Sequence, residues 1–431
     1  MKDAKDGIIS EEIRTLARAE GVSPRKILRR VAEGRIVVAR NLARNKSNDI
    51  KIVGIGYGLR TKVNANIGTS MFVTDLDMEK RKLKVAIEYG ADTVMDLSTG
   101  GDLDHIRREL LSLSNIPFGT VPIYQAYIEA VRKKKSPVYM SEDDMLNVIE
   151  RHLKDGVDFM TIHAGIRREH VMKLRKIRRI AGVVSRGGAI LAAWMYYNES
   201  ENPLYKNFDY ILEMFQGYDA VISLGDALRP GAIVDAHDYF QIAEMVTLAE
   251  LVHRAREANV QTMVEGPGHV PLNEVVMDIK LEKRITRGAP YYVLGPIVTD
   301  ISTPYDHISA AIGAAIAAAA GADFICYLTP SEHLSLPNEE QVKLGVIGAR
   351  IAAHAGDIVK YGRRVMKKDL DVAKARASLD WEKIISLSIE PALAQKIHQQ
   401  FGSFGDKGCT MCGPLCVYVI LEKIIRGEEK E

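Results

Sequence analysis

The chain has 431 residues, with 58 Lys and Arg against 56 Asp and Glu and a formal charge of +2. So even a balance supplies no net field for nucleic acid or an anionic membrane, and any anionic ligand has to be held by local groups. The length exceeds one small domain and admits either two or three domains or one large barrel with additions.

The opening MKDAKDGIIS alternates charges and has no apolar stretch, so it does not read as a signal peptide, and a cytoplasmic protein is expected. Two short helices are expected in the first 45 residues. Ser23 and Pro24 form a cap and first-turn pair, Ile27, Leu28 and Val31 an apolar stripe, and Gly34 a left-handed stop. Residues 1–60 are therefore read as a small helical N-terminal lobe.

From about Ile52 short apolar runs alternate with charged amphipathic stretches, the pattern of parallel strands joined by crossover helices. Strands are expected at 62–68, 92–98, 118–124, 157–165, 180–185, 220–226, 261–268, 290–296 and 323–328. That makes nine candidates for the eight places of a βα barrel, so one is peripheral or misread. The clearest helix is SEDDMLNVIERHLKDG at 141–156, with Ser141 as cap, acids in the first turn and Gly156 past its end. Ile308 to Leu328 is apolar enough to raise the membrane question, but it is mostly Ala and Gly and contains Asp323. It reads as a close-packed helix followed by a buried strand.

Periodicity alone leaves an open doubly wound sheet possible. The placement of reactive side chains favours the barrel: Asn66, Met95, Asp96, Tyr124, His163, Ser185, Asp226, Glu265 and Tyr327 fall at or just past the carboxyl ends of the expected strands. The reading is an α/β fold, a parallel (βα)8 TIM-like barrel over 61–362 that binds substrate. A separate helical module over 363–431 carries a cysteine-rich loop.

That loop, GCTMCGPLC at 408–416, holds three of the four cysteines. A cytosolic chain with so few thiols argues against a disulfide framework. Cys409, Cys412 and Cys416, with Gly413 and Pro414 between them, suit a metal centre. Closed zinc sites want a fourth ligand, such as Cys326 or a histidine, whereas a four-iron cube on three thiolates keeps one iron open. Cluster, zinc and a purely structural loop stay open on these residues. SRGGA at 185–189 and GDALRPGA at 225–232 are glycine-bearing loops that could approach a phosphate, or plain turns. His269 in VEGPGHVP and His333 in TPSEHLSLP could share a metal, although loop histidines are more often solvated. His163 and Tyr124 equally suit satisfied core groups. No Walker loop is present, and GIGYGLR at 54–60 is too short for a dinucleotide fingerprint.

VNANIGTS, GADTVMDLSTGG, GTVPIYQA, TIHAGI, VSRGGA, SLGDALRPGA, VEGPGHVP, YYVLGPIVTDI and LTPSEHLSLPN, in this order, resemble the phosphomethylpyrimidine synthase (ThiC) family of radical S-adenosylmethionine enzymes in thiamine biosynthesis. The resemblance runs from about Lys62 to the cysteine loop. It implies a barrel lyase that converts 5-aminoimidazole ribotide to 4-amino-5-hydroxymethyl-2-methylpyrimidine phosphate. By matching motifs, Asn66, Met95, Tyr124, His163, Ser185, Arg186, Gly187, Asp226, Ala227, Leu228, Arg229, Glu265 and Tyr292 would meet the ribotide, with Glu265 the first choice for acid/base catalysis. His269 and His333 would hold one divalent metal, zinc or iron, and Cys409, Cys412 and Cys416 a 4Fe-4S cluster that binds S-adenosylmethionine. The resemblance further implies a homodimer, a low-potential donor such as flavodoxin or ferredoxin, and neither nucleic acid nor membrane as partner.

Two departures stand out: three residues rather than four separate Cys412 from Cys416, and Ala227 replaces a frequent glycine, so its backbone angle has to be one that alanine adopts. A third puts a proline into ISTPYDHI at 301–308, beside the site loop. Rival readings are a 5-hydroxybenzimidazole synthase acting on the same ribotide and a zinc-stabilised, non-catalytic binding barrel.

Overall fold

The computed structural model describes residues 1–44, 50–134, 136–402 and 409–425. The chain forms two compact units, Met1–Asp357 and Ile358–Glu431. In the first, helices Lys2–Lys5, Glu11–Glu20 and Pro24–Ala32 precede strands β1 (Ile36–Val38) and β2 (Gly54–Gly56). Ser10 caps the second helix through the Ile13 amide, and Gly21 ends it in the left-handed region. Pro24 opens the third helix as expected, but Ser23 makes no side-chain cap.

The lobe is not wholly helical, because β1 and β2 form an antiparallel pair. Three β-branched residues, Ile36, Val37 and Val38, favour the strand, and Gly56 permits its partner. A side chain at Gly56 would meet the Arg35 carbonyl at 2.2 Å. Ile13, Leu16, Ile27, Val31, Ile36 and Leu59 give the lobe its own small core. It is fastened to the barrel by a buried ion pair between Glu20 and Lys62 at 3.1 Å.

Eight parallel strands follow: β3 (Lys62–Ile67), β4 (Thr93–Asp96), β5 (Phe118–Thr120), β6 (Phe159–Ile162), β7 (Val221–Leu224), β8 (Thr262–Gly266), β9 (Tyr291–Leu294) and β10 (Phe324–Cys326). They close into a barrel in chain order, with β10 hydrogen-bonded to both β9 and β3. Side chains fill the interior. Gly119 leaves room for the Phe159 ring, which a Cβ there would meet at 2.4 Å. Tyr292 stacks on Phe324 with centroids 4.2 Å apart, and Asn64 donates to the Tyr292 hydroxyl at 2.8 Å.

Eight of the nine expected strands are thus barrel strands. The ninth, 180–185, is not a strand. The amides of Ile180 and Ala181 donate instead to the Asp235 carboxylate at 2.9 and 2.8 Å. A side chain of another loop satisfies them in place of a neighbouring strand. Helix Glu142–Asp155 forms as read, with a capping box between Ser141 and Asp144 and Gly156 left-handed after it. The alanine-rich run becomes helix Asp306–Ala320 followed by β10. Among the described residues no helix is long and apolar enough to cross a membrane.

The second unit contains helices Lys367–Ala377, Trp381–Ser386, Pro391–Gln399 and Val417–Ile425. Trp381 stacks on His398 at 4.2 Å between centroids. Of the cysteine-loop residues, Gly408 lies outside the described residues.

Candidate active site

A cavity of about 70 Å³ opens at the carboxyl ends of the barrel strands. It is lined by Asn66 of β3, Met95 of β4, Tyr124, His163 after β6, Asp226 and Arg229 after β7, Glu265 of β8, Tyr292 of β9 and Cys326 of β10. Asn66 faces Met95, and Glu265 faces Tyr292, as register partners on adjacent strands. The hydrogen-bonded register therefore sets Asn66 level with Met95 and Glu265 level with Tyr292, on four strands of the one barrel.

Ser185, Arg186, Gly187, Ala227 and Leu228 stand outside that lining but support it. Ser185 is the N-cap of helix Arg186–Tyr197, accepting from the Gly188 amide at 3.2 Å. It follows a loop instead of the expected strand. The Arg186 guanidinium lies 4.9 Å from the Tyr124 ring centroid. Gly187 packs so closely on His163 that a Cβ would come within 2.4 Å of the imidazole. Ala227 and Leu228 are fully buried, and their amides donate to the buried Glu244 carboxylate at 2.9 and 2.5 Å. Ala227 is not among the residues of positive φ, so alanine is unstrained there. The glycine requirement falls instead on Gly188, where a Cβ would be 2.1 Å from the Ala227 carbonyl oxygen.

The electrostatics follow from burial. Burial, reinforced by the Arg229 charge, lowers the His163 pKa to about 3, so the ring is neutral. Asp226 pairs with Arg229 at 2.9 Å. Burial raises the pKa of both Asp226 and Glu265, and the proximity of the two carboxylates opposes a second charge on Asp226. Glu265 Oε1 accepts from Thr161 at 2.6 Å and Ser223 at 2.8 Å. Both carboxyls are thus held above the ordinary carboxylate range, the direction of shift wanted of an acid/base group.

His269 and His333 come together on the rim, with ring centroids 5.4 Å apart. Two imidazoles bound through nitrogen to one tetrahedral ion at about 2 Å put their centroids about 5 Å apart, so the pair fits a shared divalent metal. Among the described residues no group of three or more His, Cys, Asp or Glu gathers to hold an ion. Cys409 is half-buried, Cys412 exposed, Cys416 buried, and none forms a disulfide. It is the donor chemistry of three free thiols that fits a cluster there. Cys326 lies inside the barrel, with Sγ accepting from Asn66 at 3.0 Å.

Thr161, Ser223 and Glu244 were missed in the sequence, as were Asp300 and Asp306 beside the two histidines. The alternation within β6 and β7 puts Thr161 and Ser223 on the inner face, which was the available signal.

An eight-stranded βα barrel with its reactive groups collected at the carboxyl-end mouth defines a barrel enzyme working on a small polar molecule. The chain matches the Radical SAM ThiC family over residues 1–423 and belongs to that family. A phosphomethylpyrimidine synthase of Ignicoccus hospitalis is 58% identical over 431 residues, covering 100% of this chain and 98% of that protein. One from Sulfurisphaera tokodaii is 58% identical over 414 residues, covering 96% of each. Another, from Sulfolobus acidocaldarius, is 56% identical over 416 residues, again covering 96% of each.

Proposed function

We propose that the chain converts 5-aminoimidazole ribotide to 4-amino-5-hydroxymethyl-2-methylpyrimidine phosphate in thiamine biosynthesis. The observation carrying this reading is one cavity that combines a neutral buried imidazole, an Arg229–Asp226 pair and a Glu265 whose carboxyl burial holds above its usual range. Relatives at 56–58% identity named phosphomethylpyrimidine synthase support it.

Phosphate would be held by Ser185, Arg186 and Gly187 at the start of helix Arg186–Tyr197, where the first-turn amides and the helix dipole favour an anion. Arg229 reinforces that charge from the next loop. Asp226, Asn66 and Tyr292 offer polar partners for the sugar and base, and Met95 and Tyr124 an apolar wall. His163, held neutral, acts as a hydrogen-bonding group without adding charge. Glu265 moves the proton. Cys409, Cys412 and Cys416 would hold the 4Fe-4S cluster, and His269 and His333 a divalent metal, zinc or iron. Such a cluster would supply one-electron reduction of S-adenosylmethionine, the source of the radical chemistry. The barrel's share is to orient the ribotide and exclude water. A homodimer, a cytoplasmic location and a flavodoxin or ferredoxin as electron donor complete the proposal.

The test is anaerobic turnover of the reconstituted protein with the ribotide, S-adenosylmethionine and a chemical reductant, with products identified by mass. The pyrimidine phosphate together with 5′-deoxyadenosine is expected. Hydroxybenzimidazole as product, or no cleavage of S-adenosylmethionine, overturns it.

A further inference from the structure

We infer that Asp300 and Asp306 are the positioning residues of the His269–His333 pair, fixing which nitrogen of each ring is free to bind. His269 Nδ1 lies 2.8 Å from Asp300 Oδ1, and His333 Nδ1 lies 3.0 Å from Asp306 Oδ2. An ionised carboxylate only accepts, so each Nδ1 has to carry the hydrogen, and Nε2 of each ring is left with the lone pair. Both rings are set in the same tautomer by residues of one segment, which runs from the end of β9 to the first residue of helix Asp306–Ala320.

The two carboxylates are committed elsewhere as well. Asp306 is buried and accepts from Ser302 at 2.7 Å and Thr303 at 3.1 Å. Asp300 Oδ2 accepts from the Ile233 amide at 3.0 Å, in the loop after β7 that also carries Asp226 and Arg229. With their oxygens spent on orienting donors, they form the layer behind a two-histidine site, in keeping with the absence of any three-residue ligand group among the described residues. Asp300 also ties the His269 loop to the loop after β7, so its loss loosens two parts of the mouth and that of Asp306 one.

This inference rests on the reading that the two histidines bind a divalent metal, and its test separates the two. The full chain is prepared with Cys409→Ser, Cys412→Ser and Cys416→Ser so that thiolates take no metal, and Co2+ and Zn2+ binding is measured by competition with a chromophoric chelator. Asp300→Asn and Asp306→Asn are each expected to weaken binding about 10–100-fold and to alter the visible Co2+ spectrum. His269→Ala is expected to abolish binding. Affinity and spectrum equal to the parent's in both aspartate variants, with loss in His269→Ala, overturns the positioning role and leaves the metal reading intact. Binding unchanged in His269→Ala, or absent from the parent, overturns both. Asp306 is buried, so if its variant does not fold, Asp300→Asn alone decides, with circular dichroism confirming the fold.

Discussion

Thr161 and Ser223 stand opposite each other in the register of β6 and β7, and both hydroxyls donate to the same oxygen of Glu265, at 2.6 and 2.8 Å. That carboxylate oxygen is thereby anchored by two side chains. Thr161→Val keeps the shape and removes a hydrogen bond to a charged group, about 1.5–3 kcal/mol. A kcat loss of roughly 10–100-fold with little change in KM is expected, together with an upward shift of the acidic limb of the pH profile. Steady-state kinetics across pH checks this.

Arg229 holds Asp226 at 2.9 Å and bears on the pKa of His163. Arg229→Lys keeps the charge but loses the planar fork, and KM for the ribotide should rise about 10-fold, equivalent to about 1.4 kcal/mol. Arg229→Ala leaves the Asp226 carboxylate without its partner and should cost about 1–3 kcal/mol of stability. Substrate titration and denaturant unfolding measure the two effects.

Gly188→Ala drives a Cβ to within 2.1 Å of the Ala227 carbonyl, a backbone atom that cannot rotate aside. A loss of about 1–3 kcal/mol is expected. Because the displaced loop carries Asp226 and Arg229, ribotide affinity should fall with it. Thermal melts with and without ribotide read both.

His237 is bonded to Glu274 at 2.8 Å and Asp278 at 3.1 Å. Burial alone would lower its pKa, but the hydrogen bonds and charges of Asp278 and Glu274 outweigh it and the net shift is upward. The folded state therefore binds the proton more tightly than the unfolded chain. The stabilisation is fully present below the unfolded value near about 6.5 and is lost as pH rises through the folded one. His237→Asn, which tolerates the left-handed backbone at this position, should cost more stability at about pH 5 than at about pH 8.5. Urea unfolding at the two pH values reads the difference.

Barrel strands and the mouth-facing side chains at their ends were legible because both depend on local alternation and on position along the chain. Asn66, Met95, His163, Asp226 and Glu265 could be named for that reason. The misread segment 180–185 has the composition of a strand, but its amides are met by Asp235, more than fifty residues away, and nothing local announces such a partner. The β1–β2 pair was hidden similarly: its second strand is glycine-rich and strand-like only opposite Ile36–Val38. Roles that depend on contacts across the barrel, such as Ser223 on Glu265 or Asp300 on His269, have no signature within a single window.

The last strand of the barrel hydrogen-bonds to the first, so Cys326 and Asn66 touch although 260 positions separate them. A nascent chain that has not yet produced β10 leaves β3 and β9 as open edges prone to pairing with other chains. The mouth therefore closes late in synthesis: a ribosome has to deliver about three quarters of the polypeptide before β10 can join β3 and β9.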